Sequence, residues 1–219
     1  MRELPNAYNM CPKVKICGIT RESDAIAAAD AGADLIGLNL WPGTPRFVTV
    51  ETARHIADAV RGRAEIVAVF VDAMRDEILS AIDCLGTRMV QLHGSELPEL
   101  AASLEGVRVI KAVRVARKSD LQVLRDFPAF AFLLDAKVEG LRGGTGRTFD
   151  WNLARAAAEH SRVLLAGGLT PDNVADAVRV VRPWGVDTAS GVEARPGIKD
   201  ETKMKHFVAN AKSCGGVHG

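Results

Sequence analysis

Eight short apolar runs alternate along this chain with eight segments of helical character, and this alternation constrains the fold more than any other feature. The runs are apolar on both faces, which is typical of strands in a parallel sheet covered by helices. Segments with helical patterning lie between them; the first of these is SDAIAAADAGA, in which we expect Ser23 to be the N-cap. The runs are VKIC (14–17), LIGLNL (35–40), IVAVFV (66–71), MVQL (89–92), VIKAV (109–113), FAFLLD (130–135), VLLAG (163–167) and GVDTAS (185–190).

Eight such βα units in a chain of 219 residues predict one α/β domain, a (β/α)8 TIM barrel at the small end of its size range. The alternative is a doubly wound open sheet, which usually has fewer strands and carries G-x-G-x-x-G after the first strand. Here the first run is followed by CGIT, which cannot serve as that fingerprint. We therefore expect the barrel to occupy residues 13–219 and residues 1–12 to form a short N-terminal extension.

Composition excludes several classes of function. The net charge is +1 and no basic patch alternates with aromatic residues, so we expect no nucleic-acid partner. No apolar run approaches the roughly 20 residues that span a bilayer, and the N-terminus lacks the apolar core of a secretory signal. The four cysteines are far apart and form no CxxC pair. This argues against a metal site or a disulfide framework and for a reducing cytoplasm.

In a barrel the chemistry sits at the carboxyl ends of the strands, so the residues there are the candidates for function. The first strand ends in Cys17, the fourth presents His93 and the sixth ends in Asp135, while Arg46 lies in the loop after the second strand. A carboxylate that closes a strand of Phe and Leu is costly to bury unless it is paired or used. Each candidate also has a purely structural interpretation, since a cysteine packs well in a core and a strand-end histidine can bond the backbone.

Glycine-rich turns follow the seventh and eighth strands. Gly167 and Gly168 allow backbone N–H groups to approach a ligand, a helix is expected to start around 171–173, and Ser190-Gly191 repeats the design one unit later. Barrels commonly bind phosphate in these two loops, where exposed amides and a helix dipole attract an anion. The alternative is that these glycines only make tight turns.

Taken together, several motifs resemble one family. VKICGIT, PGTPRFV, VFVD, VQLHG, GGTGRTFDW, LAGGLTPDNV, GVDTASGVE and PGIKD occur in the order and at the strand ends found in phosphoribosylanthranilate isomerases. The resemblance covers about residues 13–212. It implies an Amadori rearrangement in tryptophan biosynthesis that needs no cofactor and no metal, and whose substrate is a phosphorylated aminosugar.

The resemblance also implies roles for individual residues. Cys17 matches the general base and Asp135 the general acid, while Arg46 matches the group that binds the anthranilate carboxylate. We place His93 with the substrate-binding residues. The phosphate site matches Gly167, Gly168, Ser190 and Gly191, and Gly143 and Gly144 belong to a glycine-rich lid. Assembly stays open at this level, because the family includes monomers and homodimers.

The sequence departs from the family in the loop after the second strand, where Trp41 and Thr44 replace the usual aromatic pair and serine. Three rival functions also remain. A sugar-phosphate lyase or aldolase would use a Schiff-base lysine, for which Lys111 is the candidate, and a binding module would need neither Cys17 nor Asp135. A dual-substrate sugar isomerase usually has an aspartate where this chain has Cys17.

Overall fold

Eight parallel strands close into a barrel in the order in which they occur along the chain, which confirms the predicted (β/α)8 fold. Lys15 in the first strand pairs with Leu35 in the second and with Asp187 in the eighth, so the first strand closes the ring. The structure is a computed structural model and describes residues 11–135 and 151–213. The strands are β1 Lys13–Cys17, β2 Leu35–Asn39, β3 Glu65–Phe70, β4 Met89–Leu92, β5 Arg108–Arg114, β6 Ala131–Asp135, β7 Val163–Ala166 and β8 Gly185–Thr188.

Helices follow the strands and cover the outside of the barrel. They are α1 Glu22–Asp30, α2 Val50–Ala59, α3 Arg75–Leu85, α4 Pro98–Ser103, α5 Val123–Asp126, α6 Trp151–Ala158, α7 Val174–Val181 and α8 Glu201–Lys212. The fifth is much reduced, because the first half of the segment expected to be helical forms a 3-10 turn, Lys118–Gln122. The seventh starts at Val174, and the three residues before it, expected to open the helix, form a turn.

The expected N-cap at Ser23 is wrong. The helix begins at Glu22 with Arg21 at the N-cap, which places Ser23 inside the first turn. Asp24, one residue further on, is buried and accepts hydrogen bonds from the Arg21 guanidinium and from the backbone N–H of Lys199. These tertiary contacts fix the start of the helix and override the local preference of serine for the cap position.

A short hairpin after β8 has no counterpart in the sequence prediction. A 3-10 turn, Ser190–Val192, leads into two antiparallel strands, β9 Glu193–Arg195 and β10 Ile198–Lys199. Helix α8 begins directly after the hairpin, and the side chain of Asp200 caps it by accepting from the N–H of Lys203. The hairpin brings Glu193 and Lys199 to the loop that follows β2.

The apolar core has two layers, as the alternation of side chains along a strand requires. In β5, Val109 and Val113 pack outward against the helices, while Ile110 points into the barrel. The buried apolar residues inside the barrel are Leu35, Val67, Met89, Ile110, Ala131, Leu133, Leu164 and Ala166. This apolar filling makes the barrel a packed core with the polar side chains concentrated towards the carboxyl ends of the strands.

Part of the prediction lies outside the described residues. Gly143 and Gly144, with the lid predicted around them, fall there, as do residues 1–10 of the extension. Within the described part of the chain, no helix is long and apolar enough to cross a membrane.

Candidate active site

A cavity of about 260 Å³ opens at the carboxyl ends of the strands. Its wall is built from every strand of the barrel except β5, together with the loops after β1, β2, β4, β7 and β8. Eight of the ten predicted site residues line it: Cys17, Arg46, His93, Asp135, Gly167, Gly168, Ser190 and Gly191. These predicted residues come from six separate segments of the chain and share one cavity.

Cys17 is half-buried at the end of β1, where its side chain points into the barrel. The residue beside it on β2 is Gly37, and a Cβ at that position would lie only 2.8 Å from the sulfur. Gly18 has a φ of +70°, and a Cβ there would overlap the side chain of Arg46. Both glycines thus leave room around the thiol, one for the sulfur and one for the arginine that crosses the strand end.

Arg46 is held by the hairpin. Its Nε and Nη2 donate to the two carboxylate oxygens of Glu193, each at 2.7 Å, and Lys199 Nζ donates to the same carboxylate at 3.1 Å. The hydrogen bonds that Arg46 donates to Glu193 outweigh burial and raise the pKa of Arg46, so the guanidinium is always charged. Burial favours the neutral acid of Glu193, but Arg46 and Lys199 together hold the pKa of this carboxyl below its usual range. Thr44 Oγ1 accepts from the N–H of Arg46 at 3.3 Å and stiffens the loop.

His93 follows β4 and pairs with Gln91 on the same strand. The Gln91 Nε2 and His93 Nδ1 atoms are 2.8 Å apart. Burial, followed by the positive charge of Lys15, lowers the pKa of His93, so the ring is neutral near pH 7 and carries its proton on Nε2 when it accepts from Gln91. Gln91 is buried, and its Oε1 has no hydrogen-bond partner among the described residues.

Asp135 ends β6 on the same cavity, three strands away from Cys17 around the ring. Its Cα pairs with Arg114 of β5 and with Ala166 of β7, and the residue is half-buried. The carboxyl group therefore lies at the boundary between the apolar strand interior and the open mouth of the barrel.

The two glycine-rich turns lie against each other. Gly167 and Gly168 both have positive φ, +91° and +77°, which favour glycine, and a Cβ on Gly168 would meet no atom within 4 Å. Gly191, in contrast, is packed so tightly that a Cβ would overlap the carbonyl oxygen of Leu169. Thr188 Oγ1 donates to the same carbonyl at 2.8 Å. Gly168 thus leaves space beside its turn on the cavity side, and Gly191 allows the two turns to pack closely together.

The family model for N-(5'-phosphoribosyl)anthranilate isomerase matches residues 14–210 of this chain. The chain belongs to the phosphoribosylanthranilate isomerase family. It is similar to an isomerase of Pelobacter propionicus, with 46% identity over 91% of this chain and 95% of the relative. An isomerase of Myxococcus xanthus is also 46% identical, over 93% of this chain and 98% of its own length.

Solved structures agree with the sequence relatives. The phosphoribosylanthranilate isomerase of Thermotoga maritima superposes with a TM-score of 0.86 at 41% identity, covering 92% of this chain and 99% of that chain. A second solved structure, of a phosphoribosylanthranilate isomerase in complex with reduced 1-(o-carboxyphenylamino)-1-deoxyribulose 5-phosphate, has a TM-score of 0.83 at 39% identity, with the same coverage. This chain is therefore an isomerase of tryptophan biosynthesis, and it folds as a TIM barrel.

Membership of the family agrees with the position of Lys111, the candidate Schiff-base lysine of the lyase alternative. Lys111 does not line the cavity; it lies outside the strand wall, where Nζ donates to Glu96 at 2.6 Å and sits 5.6 Å from the centre of the Phe127 ring. Lys111 and Glu96 therefore form a buried structural ion pair. The lyase alternative therefore loses its proposed nucleophile.

Sequence analysis missed Lys15, whose side chain points into the barrel beneath Cys17 and is fully buried. Its Nζ donates to Asp187 at 2.8 Å. Burial works against the charge, but the carboxylate of Asp187 and the neighbouring Cys17 raise the pKa of Lys15 to about 12. It is therefore not the neutral amine that a Schiff base requires. The signal was present in the sequence, because Lys15 and Cys17 are two residues apart in one strand and so share a face.

Within residues 11–135 and 151–213, no three His, Cys, Asp or Glu side chains are grouped closely enough to hold an ion.

Proposed function

We propose that this isomerase converts N-(5-phosphoribosyl)anthranilate to 1-(2-carboxyphenylamino)-1-deoxyribulose 5-phosphate, with Asp135 as the general acid and Cys17 as the general base. The observation that carries the assignment is that these two groups face one cavity of about 260 Å³ from different strands. An acid and a base on opposite sides of a bound sugar can act on neighbouring atoms without neutralising each other.

The first step opens the ribose ring. Asp135, protonated at the start of the cycle, donates its proton to the ring oxygen while the bond from that oxygen to C1 breaks. The lone pair of the anthranilate nitrogen forms the C=N bond, which leaves a protonated Schiff base and the carboxylate of Asp135.

The second step removes the proton from C2. The thiolate of Cys17 takes it, the C–H electron pair becomes the C1=C2 double bond, and the C=N pair returns to nitrogen. The result is an enaminol. The carboxylate of Asp135 then takes the proton of the 2-hydroxyl and the thiol of Cys17 gives its proton to C1, which forms the ketone and restores both groups. The substrate and product are therefore isomers and no redox partner is consumed.

The two anionic ends of the substrate need separate sites. We assign the anthranilate carboxylate to Arg46, whose Nη1 is not engaged by Glu193. We assign the phosphate to the turns around Gly168 and Gly191, where glycine allows close approach to the backbone. His93, which lines the same cavity, is available through Nε2–H to the polar groups between the ends.

The relative solved with reduced 1-(o-carboxyphenylamino)-1-deoxyribulose 5-phosphate supports this substrate class. A Thermotoga maritima structure contains monomers generated from a dimeric isomerase. We therefore propose a homodimer for this chain, which size-exclusion chromatography with light scattering tests. A cytoplasmic location stays a prediction of the sequence.

Turnover of N-(5-phosphoribosyl)anthranilate, generated in the cuvette because it is unstable, tests the function. We expect loss of the substrate's anthranilate fluorescence with formation of the deoxyribulose product. Binding without turnover would favour a binding module, and equal turnover of a histidine-pathway aminoaldose phosphate would favour the dual-substrate isomerase.

A further inference from the structure

The side chains of Lys15 and Cys17 lie close together on the inner face of the barrel wall. They are two residues apart in β1, so their side chains point to the same face. A Cβ built on Gly37, opposite them on β2, would lie 2.8 Å from the Cys17 sulfur and 3.1 Å from Lys15 Nζ. The absence of a side chain at Gly37 is thus what allows the ammonium and the thiol to sit side by side.

The ammonium is a permanent charge in a closed environment. Lys15 is fully buried, and Asp187 is its carboxylate partner at 2.8 Å. The pKa of Lys15 is raised to about 12 despite burial, because Asp187 and then Cys17 favour the charged form. Replacing a buried ion pair by apolar residues often leaves a fold equally stable, so stability alone does not require this pair.

We propose that Lys15 is a positioning residue for the isomerase: its ammonium favours the thiolate of Cys17, and Asp187 limits how much of that charge reaches the sulfur. The proposal rests on the proposed function, in which Cys17 is the base. A thiolate is stabilised by a nearby cation, and a free cysteine is mostly protonated at neutral pH. The neighbouring lysine supplies a cation that needs no contact with the substrate.

Other charged or titratable groups also surround the thiol. Arg46 and Lys199 are cations, but both donate to the carboxylate of Glu193, which offsets their charge. The ring of His93 is neutral near pH 7, since burial lowers its pKa. The full set, from the cavity and the hairpin beside it, is Lys15 on β1, Arg46 after β2, His93 after β4, Asp135 on β6, Asp187 on β8, Glu193 on β9 and Lys199 on β10. Lys15 is the member that shares both the strand and the inward face of Cys17.

The test measures how fast iodoacetamide alkylates Cys17 as a function of pH. It uses the full chain with Cys11→Ser, Cys84→Ser and Cys214→Ser, so that one thiol remains. In Lys15→Met we expect the midpoint of the profile to rise by about one pH unit or more. In Asp187→Asn we expect the midpoint to fall, because the ammonium is no longer offset. Opposite shifts distinguish an electrostatic role from a structural one.

Two further variants keep the result interpretable. The double variant Lys15→Met/Asp187→Asn removes both charges, so no buried carboxylate is left without its partner. We expect it to keep the fold even if Lys15→Met does not. The midpoint of its alkylation profile is also expected to rise. Lys111→Met breaks a buried Lys–Glu pair outside the barrel wall and should leave the midpoint unchanged. An unchanged midpoint in both Lys15→Met and the double variant would overturn the proposal.

Turnover separates this proposal from the function on which it rests. In Lys15→Met we expect kcat to fall at neutral pH, to recover at higher pH and to leave KM nearly unchanged. If the alkylation midpoint rises but the pH dependence of kcat does not follow, the electrostatic link stands and Cys17 is not the base.

Discussion

Arg46 and Glu193 form a bidentate ion pair, with Nε and Nη2 of the guanidinium each 2.7 Å from a carboxylate oxygen. The pair joins the loop after β2 to the hairpin after β8 across the mouth of the barrel. It fixes the plane of the guanidinium and leaves one edge, at Nη1, for another anion. An arginine held in this way is ordered before the substrate arrives, which reduces the entropy lost on binding.

Removal of Arg46 should weaken substrate binding. We expect Arg46→Ala to raise KM by the equivalent of roughly 1.5–3 kcal/mol, the value of a hydrogen bond to a charged group. Arg46→Lys should recover little of it, because a lysine cannot hold Glu193 with two bonds and present a third donor. Arg108→Ala, which removes an ion-paired arginine at the opposite end of the barrel, is the control. An unchanged KM for Arg46→Ala in steady-state kinetics would mean that this loop does not bind the anthranilate carboxylate.

A negative charge in the turn after β7 should expel the phosphate. Gly168→Asp places a carboxylate where a Cβ meets no atom within 4 Å, so we expect a large loss of affinity for substrate and for inorganic phosphate. Isothermal titration with phosphate measures it.

Two controls separate charge from strain at this turn. Gly168→Ala has the same positive φ without the charge, and Gly62→Asp adds the same side chain at the same φ of +77° on a surface turn. Both should retain most of the phosphate affinity. Equal losses in Gly168→Ala and Gly168→Asp would mean that backbone strain, and not charge, is responsible.

Acidification should destabilise the fold through His93. Burial, with Lys15, lowers the pKa of this ring in the folded state, so between about pH 6.5 and that lower value the unfolded chain binds the proton and the folded one does not. Stability contributed by the neutral ring is present above about pH 6.5 and is lost as the pH falls below it. We therefore expect the Tm of the wild type to fall more steeply than that of His93→Gln between about pH 7 and pH 5. The exposed His55→Gln serves as the control, and parallel curves for wild type and His93→Gln would contradict the assignment.

Asp135 should be needed for turnover and not for folding. Asp135→Asn keeps the shape of the side chain but removes the proton that opens the ring, so kcat should fall by about 10²–10⁴ with little change in Tm. Asp76→Asn, on a carboxylate exposed on α3, controls for the loss of a charge. An active Asp135→Asn enzyme would assign the ring-opening proton to another donor, with His93 the next candidate.

The fold was predictable because the barrel repeats one unit eight times. Each strand carries its own signal in a run that is apolar on both faces, and the alternation leaves few ways to arrange the units. The fifth helix was less predictable, since KSDLQVLRDF contains helix formers but turns at Lys118–Gln122, where Asp120 accepts from the N–H groups of Ala116 and Arg117. Such local side-chain bonds compete with a regular helix.

Which residues share the cavity was predictable from the sequence, but how they pair with one another was not. Cys17 ends a strand, Arg46 and His93 follow strands, and the strand ends meet by topology. That Glu193 would hold Arg46 depends on a hairpin of five strand residues, too short to give a periodic pattern. The burial of Lys15 beside Cys17 likewise depends on the closure of β1 onto β8, which brings Asp187 within reach.

Turnover of Cys17→Ser and Cys17→Ala tests the central claim, that the half-buried thiol at the end of β1 is the base. Both changes are small, so the melting temperature should stay close to that of the wild type, and the single-turnover rate should fall by about 10²–10⁴ while the Kd for the reduced product analogue changes little. Cys84→Ser, on an exposed thiol of α3, should keep the wild-type rate. A wild-type rate in Cys17→Ala would contradict the account and leave Cys17 as a packing residue of the barrel.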